Sequence, residues 1–239
     1  VEWGKAKTIL IIAFIVLNIT LYVQLRTHNE QLSIRNVTMS EFSEDVKTLM
    51  KSRNIQLKAN MPIVTDQMKQ LTVTYLQNGE QKLAKAMKPP ISLQSGLNSQ
   101  KFKQELERKI TGLKMSDYQY DQQLSSTNEL VYHQLYEGVP MFEVNMRIET
   151  NNNRAVTIRR DIVTIEAGEQ QDIISSYTAV SNLIENYLID GAVIESVQLG
   201  FHGQRFESSK QFLTPFWRVI LADGQSYYVH ALNGAVEAQ

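Results

Sequence analysis

Phe142-Glu143-Val144-Asn145-Met146-Arg147-Ile148-Glu149 alternates apolar and polar side chains over eight residues without a break. Successive side chains of a strand point to opposite faces, so a period of two predicts an antiparallel strand with one face buried and the other in water. Outward from it the flanks read the same way. Tyr118 to Leu124 and Leu130 to Tyr136 precede it as runs rich in β-formers, and Asn151-Asn152-Asn153 turns the chain after it. Val156 to Ile165 then returns as a fourth strand, and its change of apolar phase across Arg159, Arg160 and Asp161 predicts a bulge. The centre of the chain is therefore a meander of about four strands.

Helices flank the meander. Ser99 can cap a helix on which Phe102, Leu106, Ile110 and Leu113 recur every three or four residues. Further upstream, Thr38 and Glu41 form a capping box before Phe42, Val46, Leu49 and Met50, which predicts a helix to about Arg53. Between these helices lie Ile55 and Leu57 in alternation, Pro62, and a strand from Gln70 to Leu76 followed by the turn dipeptide Asn78-Gly79. Lys88 to Gly96, with two prolines and a Ser/Gly end, reads as a loop.

Downstream, the polar stretch from Ala167 to Asp172 reads as a domain boundary. A third helix, Ser176 to Ile189, carries Tyr177, Val180, Leu183, Ile184, Tyr187 and Leu188 on one stripe and stops at Gly191. Val193 to Phe201, a loop region at Gly200 to Phe206, Phe216 to Ala222, a two-residue turn at Asp223-Gly224 and Ser226 to Ala231 complete a helix on three antiparallel strands. The fold class is α+β, with helices packed on antiparallel sheets in two small units.

Ahead of both units stands Thr8 to Leu25, TILIIAFIVLNITLYVQL, 18 uncharged residues flanked by Lys5, Lys7 and Arg26. At ~1.5 Å per residue it reaches roughly 27 Å, enough for the ~30 Å hydrocarbon core once the flanks snorkel. A cleaved signal peptide is the rival, but Tyr22 to Leu25 offer no small-residue cleavage site. The charge rule is a tie, Lys5 and Lys7 against Arg26 and Arg35, and the short dilysine tail favours an N-terminus inside the cell. On a helix, Ile11, Phe14, Ile15, Asn18, Leu21, Tyr22 and Leu25 share one face, and the amide of Asn18 makes that face a candidate contact with other membrane helices. The expected organisation is a cytoplasmic tail at 1–7, a transmembrane helix at 8–25, a linker at 26–37, a first extracellular α+β domain at 38–167 and a C-terminal helix-plus-three-strand domain at 168–239.

Composition narrows the function. The 239 residues carry 24 Lys plus Arg against 25 Asp plus Glu, without the basic excess that a nucleic-acid binder needs. With no cysteine, disulfides, thiolate metal sites and cysteine nucleophiles are excluded. His28, His133, His202 and His230 lie far apart without metal-pair spacing and read as surface or strand residues. Glu105 with Glu107, and Glu41, Glu44 and Asp45, fall on helix faces where carboxylates are ordinarily solvated. No nucleophile elbow, phosphate loop or dinucleotide fingerprint is present. No catalytic residue, metal site or cofactor is predicted. Of the C-terminal aromatics, Trp217 reads as core. Phe212, Phe216, Tyr227 and Tyr228 are candidates for an external partner, because adjacent tyrosines on a strand point to opposite faces.

The opening EWGKAKTILIIAFIVLNITLY, Glu2 to Tyr22, and the closing FLTPFWRVILADGQSYYVHALNGAVE, Phe212 to Glu237, resemble the two ends of the YycI (WalI) family, with a departure at Val1, where a methionine is expected. The resemblance implies a single-pass membrane regulator that works with a YycH-like protein and associates with a WalK-like sensor histidine kinase of the WalK/WalR (YycG/YycF) two-component system, which controls cell-wall metabolism. It further implies an external part built from modules similar to the PepSY helix-plus-sheet unit, and no catalysis. Homodimerisation is left open. A PepSY-like protease-inhibitory or chaperone module is the alternative, with a wall hydrolase and a ligand-binding cleft between the units as further rivals.

Overall fold

Serine caps set the helices of the computed structural model, which describes residue 14 and residues 35–37, 42–64, 67–76, 83–93, 96, 99–204 and 208–238. Helix α1 (Glu44–Ser52) starts at Ser43, α2 (Gln100–Lys109) at Ser99 and α3 (Ser176–Asn186) at Ser175, and each cap hydroxyl accepts the backbone N–H three residues on. Such a bond satisfies one of the four N–H groups a helix start leaves open, at about 1 kcal/mol. Ser43, not Thr38, begins α1; Thr38 and Glu41 lie outside the described residues. So does the span 8–25, of whose proposed contact face only Phe14 is described, helical and exposed. Among the described residues no helix is long and apolar enough to cross a membrane.

The strands are β1 (Arg35–Val37), β2 (Gln56–Leu57), β3 (Met61–Ile63), β4 (Gln67–Tyr75), β5 (Leu83–Ser92), β6 (Tyr118–Asp121), β7 (Glu129–Tyr136), β8 (Val139–Asn151), β9 (Arg154–Arg160), β10 (Val163–Asp172), β11 (Val193–His202), β12 (Lys210–Leu221), β13 (Ser226–His230) and β14 (Val236–Ala238). Among the described residues twelve of them form one mixed sheet along the path β10-β4-β12-β11-β8-β7-β6, and β1 pairs with β3 alone. The expected meander is present, β6 to β9 each antiparallel to the next. Its α2 cover packs Phe102 and Leu106 against Leu130, Tyr132, Met146, Ile148 and Ile158. A second, larger core sets α1 and α3 (Val46, Met50, Val180, Leu183, Ile184) against Leu71 and Val73 of β4 and Val197, Trp217, Val219 and Val229 of β11 to β13. Arg53, just beyond α1, donates to the Ile184 and Leu188 carbonyls at the end of α3 and pairs with Asp190, so one cation serves the carbonyl end of a second helix.

The structure corrects several expectations. Lys88 to Ser92 is strand, not loop: among the described residues β5 pairs only with β9, as an edge strand, and its register shifts between Ala86 and Ile91, where Pro89 and Pro90 have no ladder N–H to lose. Among the described residues β4 and β5, on either side of Asn78-Gly79, do not pair with each other; β4 pairs with β10 and β12. Val156 to Ile165 is two strands. The phase change at Arg159 to Asp161 is where the chain leaves β8 and β5 and crosses to β4, Asp161 carrying a buried carboxylate that accepts the Asn145 N–H. The stretch 167–172 lies within β10, with an irregularity between Ala167 and Gln170. Leu124 falls beyond β6, Tyr187 is exposed rather than on the buried stripe of α3, and Gly200 to His202 continue β11. The β12–β13 turn closes on Leu221 N–H to Gln225 O with Gly224 at φ +89°, a three-residue loop rather than a two-residue one.

Candidate functional site

The polar face of the Phe142–Glu149 alternation is only partly in water: Arg147 and Glu149 are half-buried, and the two polar residues before them are enclosed. Glu143 and Asn145 are 7% and 3% exposed. The cause is a register shift in the β7–β8 ladder, where His133 faces Asn145 but Gln134 faces Met141. The three residues Phe142, Glu143 and Val144 are carried out of regular pairing toward β11 and β12. The alternation thereby divides among three packings: Val144 joins the α1/α3 core, Met146 and Ile148 the α2 core, and Phe142 packs with Phe216 and Tyr228. Gly200 makes room for this, since a Cβ there would lie 2.3 Å from the Phe142 ring and 2.9 Å from the Pro140 carbonyl.

Around Phe142 two buried ionic groups assemble. In the first, Asp121 Oδ2 accepts from Arg218 Nη1 at 2.5 Å and sits 2.8 Å from His133 Nε2, while its Oδ1 accepts the Gln123 and Leu124 N–H groups. A carboxylate only accepts, so Nε2 of His133 carries the proton of that bond. Burial works to raise the Asp121 pKa; the His133 hydrogen bond, the Arg218 charge and the Leu124 N–H outweigh it and hold the carboxyl well below the usual carboxylate range. Arg218 also donates from Nη2 to Gln198 Oε1 at 2.8 Å and lies 4.4 Å over the Phe142 ring. In the second group His202 Nδ1 meets Glu143 Oε1 at 2.5 Å and its Nε2 meets Glu237 Oε2 at 3.5 Å, the imidazole stacked on Tyr228 with centroids 4.0 Å apart. Burial pushes the Tyr228 phenol up.

The first group floors an open cleft of about 590 Å³. Its walls are Gln119 to Gln123 of β6 and the turn after it, Glu195 to Leu199 of β11, Asn60, Pro62 and Val64 around β3, and Gly138 to Pro140 at the start of β8. Among the described residues no three His, Asp or Glu side chains converge in a metal-binding set.

Of the aromatics singled out from sequence, Trp217 is fully buried and its Nε1 donates to the Ile174 carbonyl at 2.9 Å. Tyr227 and Tyr228 point to opposite faces, but both faces are covered: Tyr227 enters the α1/α3 core and Tyr228 the Phe142 cluster. Phe216 is buried beside Tyr228, and Phe212 alone of the four is exposed, at 63%. His133 and His202 are strand residues as expected, and their pairing with carboxylates is what sequence reasoning missed.

These residues define a mixed, sheet-rich α+β protein whose buried charges engage one another beside a solvent-open cleft. The family described as YycI protein matches residues 30–232, and the chain belongs to that family. It is a regulatory family of the WalK/WalR two-component system. No curated protein matches the chain. A crystal structure of an uncharacterized protein from Eubacterium rectale ATCC 33656 is similar at 11% identity and a TM-score of 0.30, over 49% of this chain and 40% of that one, so this chain spans about two fifths of that chain's length.

Proposed function

We propose that this chain is a non-catalytic, membrane-anchored regulator that pairs with a YycH-type protein and, with it, associates with the WalK-type sensor histidine kinase and modulates its activity, and so the expression of cell-wall genes. Family membership over residues 30–232 carries this reading. In this reading the apolar run 8–25 anchors the chain in the cell membrane, N-terminus inside and the rest outside, with the Asn18 face toward the partner helices. Kinase output shifts only if the complex binds one kinase state better than the other, since equal affinity moves no equilibrium.

Co-purification from membranes tests it, with the full-length protein, Asn18→Leu, and an anchor exchanged for an unrelated span, each probed for the YycH-type protein and the kinase. The native protein recovers both. The exchanged anchor loses the kinase and keeps the YycH-type protein. Retention of both moves kinase contact outside the membrane, and recovery of neither by the native protein overturns the reading.

A further inference from the structure

The second buried ionic group holds a histidine between two carboxylates. His202, the last residue of β11, meets Glu143 Oε1 of β8 through Nδ1 at 2.5 Å and Glu237 Oε2 of β14 through Nε2 at 3.5 Å. Aromatic neighbours hold the ring in that orientation: it stacks on Tyr228 with centroids 4.0 Å apart and stands edge-on to Phe216 at 5.0 Å. The two carboxylates differ in freedom. Glu143 is enclosed, whereas the Glu237 side chain is 44% exposed and belongs to a three-residue strand that pairs only with β13 among the described residues. A carboxylate only accepts hydrogen bonds, and a neutral imidazole has one N–H and one lone pair. Neutral His202 therefore serves one carboxylate and turns a lone pair toward the other. The imidazolium, with an N–H on each nitrogen, donates to both and sets one positive charge between two negative ones.

We infer that His202 is a proton-operated latch for the C-terminal strand: protonated at both nitrogens it ties β14 to β8 through Glu237 and Glu143, and loss of one proton to water frees Glu237 and loosens β14. Glu143 keeps its N–H, being enclosed and close, so Nε2 is the nitrogen that gives up its proton and Glu237 the partner that turns to solvent. Imidazole is the side chain whose charge changes across the mildly acidic to neutral range, and that is the range of the device. The other ionisable groups of the surroundings are otherwise engaged. Burial pushes the Tyr228 phenol up, so it stays neutral there, and the Arg218 charge that reaches it is taken up by Asp121. Asp161 accepts the Asn145 N–H, two residues along β8 from Glu143. His230 feels the Glu237 charge, but burial lowers its pKa and its Nδ1 accepts the Leu232 N–H, so the fold holds its neutral form. β14 covers the outer edge of β13, where Tyr227 to Val229 pair with Val236 to Ala238 on one side and with Trp217 to Val219 of β12 on the other. Rising pH therefore bares the backbone groups of a sheet edge.

The test uses the full-length protein in detergent micelles, labelled with nitrogen-15 at histidine. Between about pH 5.5 and about pH 8 the His202 ring passes from protonation at both nitrogens to protonation at Nδ1 alone. Over the same interval amides within 236–238 exchange at least about fivefold faster, after correction for the intrinsic pH dependence of exchange, whereas those around Val219 on β12 keep their corrected rate. Glu237→Gln, at a half-exposed position, retains the fold and abolishes the difference, the corrected rate within 236–238 being the same at both pH values. His202→Gln does the same where it folds, and the Glu237 variant decides where it does not. A His202 ring that stays neutral or stays doubly protonated throughout, a wild-type 236–238 rate without pH response, or a response that survives Glu237→Gln each overturns the inference.

Discussion

Asp121 shows how much a single side chain organises here. Its carboxylate is reached by partners 12 and 97 residues away, His133 and Arg218, and by two N–H groups of its own turn. That distance is why sequence could not reveal the group: neither histidine nor arginine has a spacing to read, and burial of a polar strand face leaves no mark on its alternation. Glu143 and His202, 59 residues apart, were hidden for the same reason. Removing one partner of a buried pair leaves the other charged and unmatched, so Asp121→Asn is expected to cost about 3–5 kcal/mol at pH 7, a large part of a typical domain's stability. Denaturant titration of the full-length chain measures it. Because the folded carboxyl lies below the unfolded value of ~3.9, the unfolded state binds the proton first, and stability rises with pH in that window. The contribution is complete above about pH 4 and is lost as pH falls through the folded value, so the wild-type and Asp121→Asn stabilities should converge on acidification. A constant offset down to pH 3 would show that the carboxylate charge is not what matters. Phe212, paired through its backbone with Thr72 and exposed at its ring, remains the external partner candidate of the four aromatics. Phe212→Ser is expected to leave the denaturation midpoint unchanged and to lower recovery of the YycH-type protein. Unchanged recovery would remove Phe212 from that list.

At the scale of elements, sequence periodicity located what local patterning controls. Ser99 and the Phe102/Leu106 spacing gave α2, the Phe142 to Ile148 alternation gave β8, and Asp223-Gly224 gave the last hairpin, each because cap, pleat and turn chemistry act within a few residues. The errors lie where tertiary pairing overrides local preference. Pro89 and Pro90 can enter a strand only at an edge, and sequence does not say which strand is an edge. The phase change at Arg159 to Asp161 was visible, but whether it marked a bulge or a change of partner depended on β4, some ninety residues upstream. Gly200 is the element-level hinge of the site, holding β8 against β11 by having no side chain. Gly200→Ala is expected to cost about 1–3 kcal/mol through displacement of Phe142 and Pro140, more than an alanine at an open strand position would. If calorimetry finds it neutral, the Phe142 ring yields freely and the close approach is not structural. Ser99→Ala, by comparison, should cost about 1 kcal/mol through loss of the Phe102 N–H bond.

For the whole molecule, the open question is whether 38–167 and 168–239 are independent units, as their composition proposes. The cores bear on it directly. The larger one draws Val46, Met50, Leu71 and Val73 from the first segment and Leu183, Trp217, Val219 and Val229 from the second, so half of its packing partners would be missing from either piece alone. β12 pairs with β4 across the same division, and β8 sends Val144 into the larger core and Ile148 into the smaller. A fragment 168–239 would expose the faces of α3 and β12 that α1 and β4 cover, and small domains have little stability to spare for such exposure. It is therefore expected not to fold by itself, with amide proton shifts in the narrow range of an unfolded chain. In the intact protein Leu106→Ala in the smaller core and Leu183→Ala in the larger should each cost about 2–5 kcal/mol, both residues being fully buried. Cooperativity through β8 predicts that each variant lowers one common transition, so that far-ultraviolet dichroism and tryptophan fluorescence, the latter read in a Trp3→Phe background so that it reports Trp217 in the larger core, still melt together. If Leu106→Ala instead shifts only the dichroism and leaves the fluorescence transition in place, the α2 meander unfolds by itself. Two cooperative units then exist, but their border runs through β8 rather than at residues 167 and 168.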